Sequence, residues 1–253
     1  MKQLPLALPL ILLTASFASA QNEVTLVAPG GIRSAIEQLI PGFESKTGIK
    51  VKATFGSGGG TKQQVIRGDA FDVPIVQPPY QPVVASGNVV AASAKALANV
   101  AVGAAVKKGA HKPDISTPEA LKQTLLAAKS IAYPDPSGGA AAGVSFNDTL
   151  KKLGIAEQVE PHIKRAQGGA AAMTMAAKGE VEIGLTFLSE MEEPGLDVVG
   201  PLPRAVSTPT ELTGFVSSHA KNPQAAQALL DYLVSPAVAA IYKSNGMQPG
   251  AVK

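Results

Sequence analysis

The chain has 253 residues, 45% of them apolar and 16% charged, and it contains no cysteine. That composition supports a packed core, argues against disorder, and excludes disulfides and thiolate-bound metal as sources of stability. A formal net charge of +3, from 22 Lys and Arg against 19 Asp and Glu, is too weak a bias for nucleic-acid binding, and no basic block or aromatic stacking run accompanies it.

Residues 1–20 read as a signal peptide. Lys2 is the basic end, Leu4 to Leu13 the apolar run, and Ala18-Ser19-Ala20 the small-x-small cleavage pattern, which makes Gln21 the first mature residue. The apolar run falls well short of the roughly 20 residues a spanning helix needs. The mature protein is therefore expected free in the periplasm or outside the cell.

The rest of the chain alternates strand and helix patterns. Glu23 to Ala28 reads as a strand, followed by Gly30-Gly31. Ile32, Ala35, Ile36, Leu39, Ile40 and Phe43 then form the apolar stripe of a helix, with Pro41-Gly42 placed to kink it. Ile49 to Phe55 is a second strand, Gly56 to Gly60 a Gly-rich turn, Thr61 to Arg67 a helix, and Asp72 to Val76 a third strand. This order predicts a parallel sheet with helices on both faces.

Ala98 to Val106 is an apolar strand long enough to cross between lobes. Pro118 to Lys129 is a helix capped by Thr117. Ser130 to Tyr133 is a strand, Pro134 to Gly139 a loop, and the next helix ends at Leu153 before Gly154. Gln167-Gly168-Gly169 opens a helix reaching Gly179, Ile183 to Phe187 is a strand, and Pro201 to Pro209 reads as a return linker. Two helices close the chain, the first with Ala225, Ala228, Leu229, Tyr232 and Leu233 on one stripe, the second from Pro236 to about Ser244.

Four times, then, a strand runs into a Gly-rich turn that opens a helix: at Gly30-Gly31, Ser57 to Gly60, Ser137 to Gly139, and Gly168-Gly169. In open α/β sheets ligands collect beyond the carboxyl ends of strands. A helix N-terminus offers free N–H groups and a partial positive charge, and glycine lets an anion come close. Arg33 and Lys62 sit in the first turns of two such helices, where a cation is locally disfavoured unless it meets a ligand. The expected ligand set is Gly30, Gly31, Arg33, Ser57, Gly58, Gly59, Thr61, Lys62, Ser137, Gly138, Gly168, Gly169 and Phe187.

Other chemistries are poorly represented. Gly56 to Lys62 lacks the residue order of a nucleotide phosphate loop. His111, His162 and His219 have no partners at ligand spacing, so no metal and no cofactor are expected. No Ser elbow or Cys nucleophile exists. Glu190, Glu192, Glu193 and Asp197 read as a solvated loop, with Glu190, just after a strand end, the member that could face a cleft. Met173 and Met175 read as packing.

The segments Leu26 to Ile32, Phe55 to Gly59, Ser130 to Asp135, Glu182 to Gly184 and Leu230 to Pro236 resemble, in their order, the periplasmic molybdate-binding-protein superfamily. Around Pro118 to Tyr133 and Gly195 to Pro203 the likeness is to a branch that includes a periplasmic aconitate isomerase. The resemblance implies an α/β fold of the two-lobed type II periplasmic binding class, each lobe a mostly parallel sheet flanked by helices, with a ligand cleft between. The implied division is lobe 1 from 21–102 and 210–253, and lobe 2 from 103–209. Molybdate binders place serine hydroxyls where Gly31 and Gly58 fall here, and a tyrosine where Phe187 falls. Those absences, and the wider cleft that glycines suggest, imply an organic carboxylate in place of molybdate. The expected partners are a small anionic ligand and an ABC-type permease, with the protein itself a monomer. The alternative is an isomerase, for which Tyr133, Asp135 and Lys62 are the acid–base candidates.

Overall fold

The computed structural model describes residues 22–250. The signal-peptide reading of residues 1–20 lies outside them.

Strand β1 (Glu23–Pro29) becomes buried on both faces, as an interior parallel strand must. One 3-10 turn, Gly30–Ile32, leads into α1 (Arg33–Thr47), which buries Ala35, Ile36, Leu39 and Phe43 and runs on through Pro41. Edge strand β2 (Lys50–Gly56) follows. Helix α2 (Gly58–Arg67) begins ahead of the expected Thr61, because Ser57 takes the N-cap and its Oγ accepts the Gly60 N–H at 3.1 Å. After β3 (Val73–Val76) comes α3 (Gln81–Ala85), too short to leave a periodic signal.

The single strand expected at 98–106 is two strands, β4 (Val89–Val100) and β5 (Val102–Lys107), which belong to different sheets. The second half contains α4 (Pro118–Ala127), β6 (Ile131–Pro134), a 3-10 turn Pro136–Gly138, α5 (Ala141–Leu153), α6 (Ala156–Val159), β7 (Ile163–Ala166) and α7 (Gly169–Lys178). Then come β8 (Ile183–Phe187), a 3-10 turn Leu188–Glu190, β9 (Leu196–Pro201), β10 (Thr210–Ser217), α8 (Pro223–Leu233), α9 (Ala239–Ser244) and β11 (Met247–Pro249).

Two sheets organise the two lobes. The first has the order β11-β4-β10-β3-β1-β2, the second β7-β6-β8-β5-β9. Parallel pairing is confined to β2-β1-β3 in the first and β7-β6-β8 in the second; the remaining pairs are antiparallel. The chain leaves the first sheet at Ala101, whose carbonyl accepts the Leu188 N–H at 3.0 Å, and returns through residues 202–209.

The core is continuous across both sheets. Phe43 of α1 meets Tyr232 of α8 with ring centroids 5.6 Å apart, and Tyr133 meets Phe146 at 4.9 Å. The fully buried Phe43 and Phe146 each contribute about 1.5–3 kcal/mol relative to exposure, and Tyr232 is only partly buried. Asp72 is the main buried carboxylate of the first lobe. Its Oδ2 accepts Thr25 N–H at 2.8 Å and Thr25 Oγ1 at 2.7 Å, and its Oδ1 accepts Lys221 N–H at 2.6 Å, which ties β1 to the loop before α8. Among the described residues no single helix is long and apolar enough to cross a membrane.

Candidate functional site

Six parallel strand ends, three from each sheet, open onto one cavity of about 610 Å³. They bring Pro29-Gly30 after β1, Gly56-Ser57 after β2, Gln77 after β3, Pro134 at the end of β6, Gln167-Gly168 after β7 and Phe187 at the end of β8. The same cavity is lined by first-turn residues of four helical openings: Gly31, Gly58, Ala141 and Gly169. First-turn N–H groups have no intrahelical acceptor, so this arrangement offers several donors and partial positive charge to one small volume.

Two of the glycines are dictated by what packs on them. A Cβ at Gly31 would lie 2.9 Å from Cδ2 of Phe187, and one at Gly58 would overlap the Gln77 amide. The expectation that these glycines widen the cleft is therefore corrected. The Phe187 ring, from the end of β8 in the other sheet, and the Gln77 side chain, just after β3, occupy the space that serine hydroxyls would need. Ser189 Oγ donates to the Gly31 carbonyl at 2.7 Å and fixes this corner between the lobes.

Of the residues expected from sequence, Gly30, Gly31, Arg33, Ser57, Gly58, Gly168, Gly169 and Phe187 line the cavity. Gly59, Thr61, Lys62, Ser137 and Gly138 do not. The Gly59 N–H donates to the Gly139 carbonyl at 2.9 Å, a direct main-chain bond between α2 and the turn after β6. Thr61 is buried, its Oγ1 without a hydrogen-bond partner among the described residues. Ser137 lies inside the 3-10 turn that Asp135 caps, its N–H donating to Asp135 Oδ1 at 2.9 Å. Gly138 faces open space. Lys62 Nζ donates to the Pro78 carbonyl at 2.9 Å and faces a second cavity of about 560 Å³, which Gly59 and Gly139 also border.

None of the three acid–base candidates lines the main cavity. Tyr133 is fully buried, its hydroxyl donating to Asn147 Oδ1 at 2.6 Å, and burial pushes its phenol pKa up. The bond from the Ser137 N–H holds the Asp135 carboxyl below its ordinary range. Desolvation lowers the Lys62 ammonium, but in the other cavity.

The charges that do line the cavity are Arg33, Glu190, Glu192 and Glu193. Arg33 stacks over Phe55, with Cζ 5.0 Å from the ring centroid, and makes only a loose 3.9 Å pair with Glu37. Its guanidinium is thus held by an aromatic face and not consumed by a close carboxylate. Glu190 is partly buried, and Thr186 Oγ1 donates to its Oε2 at 2.5 Å. Burial pushes the Glu190 carboxyl up, against the Thr186 and Phe187 hydrogen bonds that lower it. Sequence reasoning gave Glu190 only a passing place and missed Gln77 and Ser189 entirely. The signal for Glu190 was its position three residues beyond a strand end; Gln77 and Ser189 left none. The histidines 111, 162 and 219 are all exposed, and no group of three His, Asp or Glu able to hold a metal occurs among the described residues.

Comparison with known proteins fits this geometry. Residues 24–248 match the model of the family described as bacterial extracellular solute-binding protein. An aconitate isomerase from a Pseudomonas species is 33% identical over 252 residues, covering 95% of this chain and 94% of that one. The molybdate-binding protein of Azotobacter vinelandii is 28% identical over 235 residues, 90% of this chain and 91% of that one. Among solved structures, the sulfate-binding protein of Mycobacterium tuberculosis superposes with a TM-score of 0.71 at 19% identity, covering 90% of this chain and 87% of that one. With the family model matched along nearly the whole described chain, the protein belongs to the bacterial extracellular solute-binding proteins.

Proposed function

We propose that the protein closes its lobes around a small organic acid with several carboxylates, of the aconitate class. One observation carries the reading: six strand ends and four helix openings from two sheets share one cavity with a single cationic side chain, Arg33, among its lining residues. Its volume of about 610 Å³ lies inside the range of roughly 300–1,000 Å³ usual for organic ligands. Residues 31, 58 and 187 supply no hydroxyl. A compact tetrahedral oxyanion would therefore lose donors worth about 1–3 kcal/mol each. The kinship with an aconitate isomerase favours a tricarboxylate over an inorganic anion.

On this reading the chain is exported by its leader and works in the periplasm as a monomer. As a transport protein it would deliver its acid to an inner-membrane permease, with lobes divided near residues 102 and 209. A second reading, in which the bound acid is isomerised, is favoured by Glu190, a carboxyl set inside a cavity built for anions.

A thermal-shift screen tests the ligand class. Ligand at about 100 times its dissociation constant stabilises by about 2.7 kcal/mol. Trans-aconitate, cis-aconitate and citrate are expected to raise the unfolding temperature, and molybdate, tungstate and sulfate to leave it unchanged. A large molybdate shift with none from the tricarboxylates would overturn the assignment.

A further inference from the structure

We propose that Glu190 is the catalytic acid–base group of this cleft, moving a proton between two carbons of a bound unsaturated polycarboxylate. The inference rests on the ligand reading above and extends it from binding to chemistry.

The position of the carboxyl carries the proposal. Glu190 ends the 3-10 turn after β8, and its Oε2 fills the place a Cβ on Gly169 would take, at the mouth of α7. Its Oε1 lies 3.5 Å from where a Cβ on Gly30 would stand, at the opening that leads into α1. The carboxyl therefore sits between one anion-binding opening of each lobe, where the bound acid would lie between them. Thr186 Oγ1 donates to Oε2, which fixes the group and leaves Oε1 toward the Gly30 side. None of the ion pairs among the described residues includes Glu190. A carboxylate kept only for structure would ordinarily be paired or solvated.

The other titratable groups do not compete for the role. Tyr133, Asp135 and Lys62 are turned to other partners outside the cavity. Arg33 is stacked over the Phe55 ring. Glu192 is exposed and Glu193 is only partly covered. Thr186, the Phe187 backbone, Arg33, Glu192 and Glu193 are the polar and charged groups that share this space with Glu190. Its burial makes the carboxylate a stronger base than a solvated one, which suits a proton held by carbon.

The step balances without a co-reactant. Ionised Glu190 takes a proton from the methylene carbon of the bound acid. The C–H electron pair spreads over the adjacent double bond and carboxylates, whose charge the helix openings and Arg33 hold. Neutral Glu190 then returns the proton to the far carbon of the same three-carbon unit. One C–H bond breaks, one forms, the double bond moves, and the geometry in which the anion is held sets the cis or trans outcome.

The test uses the full chain with trans-aconitate in deuterated buffer, followed by proton NMR. Wild type is expected to form cis-aconitate and to exchange methylene hydrogen for deuterium. Glu190→Gln is expected to bind the acid within a few-fold of wild type by calorimetry yet lose turnover by about 10²–10⁴-fold, the usual contribution of a positioned acid–base group. Glu190→Asp should retain part of the rate with a shifted pH profile. Undiminished turnover by Glu190→Gln, or wild-type binding with neither turnover nor exchange, would overturn the catalytic role and leave the ligand reading standing. Absence of any binding by wild type would instead remove the ligand reading, and the catalytic role with it.

Discussion

The main-chain N–H of Gly59 reaches across the cleft to the carbonyl of Gly139 at 2.9 Å, so the lobes touch at a point where neither residue has a side chain. A Cβ on Gly59 would stand 2.8 Å from the Gly139 Cα and 3.2 Å from its carbonyl oxygen, and backbone cannot yield as a side-chain tip would. Both residues border the second cavity and neither lines the main one, and the bond spends one of the α2 first-turn donors on closure.

Gly59→Ala should therefore weaken closure. Alanine favours the helix by about 0.5–1 kcal/mol over glycine, so loss of helix propensity cannot explain a defect. The closed form loses a hydrogen bond worth about 0.5–1.5 kcal/mol, or roughly two- to tenfold in affinity. Calorimetric titration with the acid that shifts the unfolding temperature checks it. Unchanged affinity would mean the contact plays no part in holding ligand.

Restoring a hydroxyl at position 31 is expected to harm the protein without creating a molybdate site. Phe187 already fills that space, and overpacking typically costs about 1–3 kcal/mol. Urea denaturation of Gly31→Ser should show that loss, and a molybdate titration should show no gain.

Arg33 is the one cation among the residues lining the main cavity, and its stacking on Phe55 holds it there. Arg33→Ala should lower affinity for a carboxylate ligand by about 1.5–3 kcal/mol, or more than tenfold, since charge-assisted bonds are of that size. Lys62→Ala should change it little, because Lys62 faces the second cavity. Parallel titrations of the two variants check the contrast.

Glu190 gives a pH prediction whose sign can be worked out. Burial raises its pKa in the folded protein above the ordinary 4.5. Between those values the native state holds a proton that the unfolded chain has released, so stability falls as pH rises through the window and stays lower above it. Glu190→Gln carries no such charge. Its unfolding temperature should compare best with wild type near about pH 7 and lose that advantage toward about pH 4, measured by thermal scans across that range. A constant difference would show that the carboxyl ionises as freely inside the fold as outside it.

Much of this site could be read before any coordinates. The β-turn-α rhythm placed β1, β2, β3, β6 and β8, and the glycines at 30, 31, 58, 168 and 169 marked the openings that line the cavity. Strands β7, β9, β10 and β11 left no usable pattern. β7 is largely exposed and β11 is three residues long, while β10 is buried nearly throughout and so does not alternate. Lys62 and Ser137 misled because first-turn position says nothing of direction: one side chain turns to Pro78, and the other residue serves the cap at Asp135. Glu190 was half-seen because strand-end position is local, whereas its meeting with Gly30 and Gly169 depends on lobe packing.

A crystal structure of the protein grown with trans-aconitate tests the central claim most directly. The acid is expected in the main cavity, its carboxylates within hydrogen-bonding distance of the N–H groups of Gly31, Gly58 and Gly169 and of the Arg33 guanidinium. An acid seated instead in the second cavity, against Lys62 and Lys152, with the four openings facing only water, would contradict it.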